Sequence, residues 1–104
     1  MESYMKDGKG RMRRVRKRYV DVVARMREDG SMEPLSVAWR DGRSFCVTEV
    51  VEAGEFRPGF EGVFTARYRI RIGDRRTSLY LEHRLNRPET GLPPSVRWWV
   101  HEFE

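Results

Sequence analysis

The stretch Val63-Phe64-Thr65-Ala66-Arg67-Tyr68-Arg69-Ile70-Arg71-Ile72-Gly73 decides the fold class. Phe64, Ala66, Tyr68, Ile70 and Ile72 alternate with Thr65, Arg67, Arg69 and Arg71. A period of two puts the two sets on opposite faces of a strand. One face is apolar and the other wet, the pattern of an antiparallel sheet with a single buried side. Gly73-Asp74 turns the chain, and Thr77 to His83 returns it with Leu79 and Leu81 inward.

The same alternation extends in both directions. Leu35, Val37 and Trp39 alternate with Ser36, Ala38 and Arg40, and Pro34 stands at the start of that strand, where no ladder donor is missed. Asp41-Gly42 is a strong hairpin signal, after which Phe45 and Val47 face one way. The apolar phase breaks at Thr48-Glu49 and resumes at Val50-Val51, which predicts a β-bulge. Ala53 to Gly62 and the Pro-rich Asn86 to Ser95 read as loops, and Val96, Trp98 and Val100 mark a closing strand. Residues 19–26 alternate from Val20 to Met26 and lead into the turn Glu28-Asp29-Gly30-Ser31. A helix is the rival reading there, because Met12, Val15, Tyr19, Val22, Val23 and Met26 also share a helical face. Three valines in four positions favour the strand.

About six short antiparallel strands with exposed edges predict a small all-β barrel or roll. Its expected core is Val20, Val22, Leu35, Val37, Trp39, Phe45, Val47, Phe64, Tyr68, Ile70, Leu79, Leu81, Trp98 and Val100. With 104 residues there is room for one domain, 15–104, preceded by a disordered basic arm, 1–14. Of the 21 Lys and Arg, eight fall within residues 1–18 beside only Glu2 and Asp7, so the rest of the chain is close to neutral. Met12 is an alternative expected start of translation, because Lys6-Asp7-Gly8-Lys9-Gly10-Arg11 reads as a translated purine-rich ribosome-binding stretch.

The stretch Pro34 to Val47, with a strand ending in Trp39, a turn through Gly42 and a continuation Arg43-x-Phe45-x-Val47, resembles small bacterial all-β proteins of unknown function. The Val20 to Arg25 strand and Arg97-Trp98-Trp99-Val100 fit the same pattern. The resemblance implies a fold and carries no catalytic or binding residues with it.

Several functions are disfavoured. The single Cys46 forms no internal disulfide and suits a reducing, cytoplasmic setting. No apolar run reaches the ~20 residues of a membrane span. His83 and His101 lack metal-ligand spacing, so neither metal nor cofactor is expected, and no nucleophile–base pair marks an enzyme. Two binding roles remain. Tyr19, Val23, Tyr80, Trp99 and Phe103 fall on outer faces and make a candidate interface for a protein partner or a homodimer. Alternatively, Arg11, Arg13, Arg14, Arg16, Lys17 and Arg18 of the arm, with the Arg67, Arg69 and Arg71 stripe, make a nucleic-acid surface. The first role is favoured. The surroundings of Trp99 discriminate: apolar neighbours favour protein, cations favour nucleic acid.

Overall fold

The structure, a computed structural model, describes residues 3–85, 89, 91 and 93–104. Its strands are β1 (Ser3–Lys6), β2 (Met12–Met26), β3 (Met32–Ala38), β4 (Ser44–Cys46), β5 (Glu49–Ala53), β6 (Arg57–Pro58), β7 (Val63–Ile72), β8 (Arg75–Arg84) and β9 (Ser95–Phe103). They form one nine-stranded antiparallel sheet in the order β4-β3-β2-β9-β8-β7-β5, with β1 beside β2 and β6 beside β7. Residues 12–26 are therefore strand, and the helical alternative does not occur.

Three hairpins share one turn design. In Asp7–Arg11, Arg27–Ser31 and Trp39–Arg43 the first residue's N–H donates to the fifth residue's carbonyl. The fourth residue is Gly10, Gly30 or Gly42 at φ of 78°, 87° or 91°, a conformation that side-chain-bearing residues resist. The Asp7 turn changes the reading of the N-terminus. Asp7 Oδ1 accepts from Lys9 N and Arg11 N, and β1 pairs with Met12–Val15. Ser3–Lys6, expected within a disordered arm, is here an edge strand.

β2 changes partner along its length. It pairs with β9 from Val15 to Val20 and with β3 from Asp21 to Met26, on opposite sides. The sheet curls until β3 meets β7, where the Tyr68 hydroxyl donates to Met32 O at 2.9 Å. The expected barrel is not formed, because no ladder closes β4 onto β5. Instead the two edges are consecutive pieces of one run. Val47 N donates to Leu35 O and Thr48 N to Arg71 O, each at 2.9 Å. The phase break at Thr48-Glu49 is thus a change of sheet edge, and the expected irregularity falls just after it, at Val51 between Val50 and Glu52. A second register shift lies opposite Val23/Ala24.

The core contains Val37, Ala66, Tyr68, Ile70, Leu79, Leu81 and Trp98, with Val20, Val22, Val47 and Val100 among the side chains packed on it. Trp98 meets Tyr68 edge-on at 5.2 Å. Two expected core residues are misplaced. The shift opposite Val23/Ala24 turns Leu35 outward and buries Pro34 in its stead. Trp39 lies beyond the end of β3 as the first residue of a turn, half-buried and outside the core. Phe45 and Phe64 are also only half-buried, Phe45 beneath the Arg43 guanidinium.

Trp98→Ala should therefore cost ~3–5 kcal/mol in denaturant melts, whereas Trp39→Ala should cost clearly less. Equal losses would place both indoles in the core.

Candidate functional site

The register across the outer face of the sheet assembles a row from four strands. Tyr19 of β2 stands opposite Trp99 of β9, Trp99 opposite Tyr80 of β8, and Tyr80 opposite Arg67 of β7. Side chains directly opposite on antiparallel strands lie close enough to interact. Trp99 and Tyr80 stack at 4.1 Å with an interplanar angle of 10°. His101 meets both rings edge-on, at 5.1 Å and 5.2 Å. Adjacent residues on a strand face opposite ways, so Trp98 enters the core while Trp99 lies outside.

Cations cover this row. The Lys17 ammonium sits 4.8 Å above Trp99 and 5.0 Å above Tyr19, and the Arg97 guanidinium lies 3.8 Å over Tyr19. Trp99 is thus sandwiched between Tyr80 and Lys17 and covered by its own chain. Much of the Asn86 to Ser95 loop lies outside the described residues.

Glu82 holds the cations in place. It is only 3% exposed, and a charge so buried must be paired. The Tyr19 hydroxyl donates to it at 2.9 Å, Arg97 Nη2 approaches at 3.3 Å, and Lys17 Nζ forms a close ion pair. Burial pushes the Glu82 carboxyl upward, but hydrogen bonds from Lys17 and Tyr19 and the charges of Lys17 and Arg97 outweigh it, so the pKa lies below the usual carboxylate value. Burial likewise lowers Lys17, and its bonds to Glu82 and Tyr19 raise it further than burial lowers it. His101 is lowered by burial and by the nearby Arg67 charge. Trp99 Nε1 and His101 Nδ1 are buried without a hydrogen-bond partner.

The structure divides the sequence-derived site residues. Of the candidate interface, Tyr19, Tyr80 and Trp99 come together. Val23 lies beyond Asp21 on β2, and Phe103 pairs with Val15 beneath the Arg13 guanidinium. Strand alternation splits the basic run between two faces. Lys17 points to the outer face, whereas Arg16 and Arg18 meet Glu102 on the other, where Arg40 joins them at 3.5 Å. Arg14 lies 3.6 Å from Glu104, Arg13 donates to Glu104 O, and Arg11 and Arg13 lie near Asp7. Arg67, Arg69 and Arg71 remain together on the outer face of β7. Glu82 and Arg76 were not among the expected site residues, because only the register brings them there.

Among the described residues, no three His, Cys, Asp or Glu side chains gather to hold a metal, and no helix is long and apolar enough to cross a membrane. Cys46 is exposed on the edge strand β4.

Glu82→Ala strands the Tyr19 hydroxyl and two half-exposed cations, so it should cost ~1–3 kcal/mol. The depressed carboxyl contributes fully above its unfolded value near ~4.3, and the contribution is lost as pH falls through the folded value. Thermal melts from neutral to acid pH should therefore decline less steeply in the variant. No family model, curated protein or solved structure matches the chain, so the site is read from its own chemistry.

Proposed function

We propose that the chain binds single-stranded nucleic acid along the outer face of its sheet, by contacts dominated by the phosphate backbone and without a chemical step. The observation that carries this reading is the surround of Trp99. Its neighbours are Tyr80, His101 and Lys17, with Arg97 over the adjoining Tyr19 and Arg67 closing the row. That is an aromatic row interleaved with cations, the composition of a platform that tracks a strand and tolerates any sequence. Both faces of Trp99 are occupied, so it anchors the platform, and the cations with the 41% exposed Tyr19 make the contact surface. A broad sheet face suits an unpaired strand better than a duplex groove, which is read by an inserted helix or ribbon. The exposed Cys46 suits a reducing, cytoplasmic setting.

Self-association is the second reading, and a different observation favours it. β2 leaves β9 after Val20, so its final residues have no strand on that side. Val23 and Met26 are exposed there, at 62% and 70%. An open edge beside apolar side chains is a template for a second strand.

Anisotropy titrations with labelled single strands and duplexes over a salt series test the first reading. Affinity for single strands should fall with salt at a slope of about −0.7 per phosphate contacted. Arg67→Ser should weaken binding about equally for all sequences and make the slope shallower by roughly one contact. Absence of binding to any oligonucleotide at low salt would sink the reading. Sedimentation velocity checks the second: a concentration-dependent dimer lost in Val23→Lys is expected, and a monomer at all concentrations excludes it.

A further inference from the structure

The turn-proximal end of the β7–β8 hairpin carries more positive charge than the fold neutralises. Arg67, Arg69 and Arg71 alternate on the outer face of β7, and Arg76 of β8 stands directly opposite Arg71. Like charges directly opposite on a ladder are destabilising. Asp74 stands in the hairpin turn without an ion pair among the described residues, and the carboxylates within ion-pair reach are Glu49, 3.7 Å from Arg71, and Glu52, 3.5 Å from Arg69, both more than half exposed. Loose pairs of that kind contribute little. The Arg76 side chain makes no hydrogen bond or ion pair among the described residues. The Nε of Arg71 is buried without an acceptor.

Three of these cations, Arg67, Arg69 and Arg76, border a hollow. Ser78 is a small residue opposite Arg69, between Arg76 and Tyr80 on the same face. The register shift in β5 leaves Val51 exposed at the side. The resulting depression measures about 150 Å³ and is lined by Val51, Arg67, Arg69, Arg76 and Ser78 among others. That is the liquid volume of on the order of five waters, room for a tetrahedral oxyanion. Arg67 Nε donates to Ser78 Oγ at 3.0 Å, which fixes the guanidinium beside the hollow by one nitrogen. Its Nη atoms remain for a ligand, and the planar fork matches the oxygens of a phosphate.

The geometry points to an oxyanion subsite at Arg67, Arg69, Arg76 and Ser78 that takes one phosphate group of the bound strand. The identification of that phosphate with a nucleic-acid backbone rests on the reading above; the affinity for an oxyanion does not. Arg69 and Arg67, two residues apart, are ~6.6–6.8 Å apart along β7. The subsite therefore leads directly to the Arg67 end of the aromatic row, and a strand held here continues toward Tyr80.

Arg76→Ser is the informative variant, because the Arg76 side chain is exposed and makes no hydrogen bond or ion pair among the described residues. Two probes are needed. Inorganic pyrophosphate titrated into isotope-labelled protein should shift the Thr77 and Ser78 amides selectively, with at least fivefold weaker binding in Arg76→Ser and an intermediate effect in Arg76→Lys. A thymidine oligonucleotide should bind Arg76→Ser with a salt slope shallower by about 0.7, one phosphate on a single strand. If pyrophosphate produces no localised shifts and the oligonucleotide slope is unchanged in Arg76→Ser, the subsite is overturned while the nucleic-acid reading stands. If pyrophosphate localises at Thr77 and Ser78 but no oligonucleotide binds, the subsite stands and the nucleic-acid reading falls. Shifts spread evenly over all basic segments, equal in wild type and variant, also overturn the subsite.

Discussion

The whole sheet hangs on β2, a fifteen-residue strand that no single neighbour could accompany without the sheet running out flat. Its first half is held by β9 and its second by β3, on opposite sides. Once the partner changes at Val20–Asp21, the natural twist of paired strands carries β3 around toward β7. The Tyr68–Met32 bond records where they meet. The curl encloses the apolar face and leaves the opposite face turned outward. The core and the candidate site are therefore two consequences of one strand changing partner.

That outer face is unusual in having packing of its own. The Tyr80–Trp99 stack, the His101 ring set edge-on and the Lys17 ammonium form a small second layer centred on a buried carboxylate. Removing an ion from water is costly, and Glu82 is tolerated because three groups donate to it. The network positions cations over aromatic rings before any ligand arrives. A surface fixed in this way loses less side-chain entropy on binding than one built from free lysines and arginines.

Much of this was legible in the residues. The alternation of Phe64 to Ile72 established a half-buried antiparallel sheet, and the Trp98–Trp99 pair separated an inner from an outer indole. Tyr19, Tyr80 and Trp99 were correctly assigned to outer faces by period alone. What stayed hidden depends on register, which local pattern does not encode. Nothing in the Val20-Asp21 dipeptide announces a change of partner, since alternation continues straight through it. Leu35 keeps the period of an inward residue, yet the ladder skips it and Pro34 is buried. Glu82 reads as an ordinary polar residue of β8 until β2 and β9 bring Lys17, Tyr19 and Arg97 around it. The basic run looked like one charged arm because 1–14 read as disordered, and only its place in β2, paired with β1 and β9, sends alternate members to opposite faces.

The run from Ser44 to Ala53 touches both free edges of the sheet, and its two middle amides are the stitches between them. Its first part, β4, folds back on β3 through the local Trp39–Arg43 turn, whereas β5 pairs with β7, and the Val47 and Thr48 amides reach both. The pairing of β2 with β9, by contrast, joins residues about eighty positions apart, and contacts of that kind slow folding. Release of residues 47 and 48 alone would break the two bonds that tie the edges together, while β4 and β5 keep their ladders to β3 and β7, so the curl can loosen there without losing either edge strand.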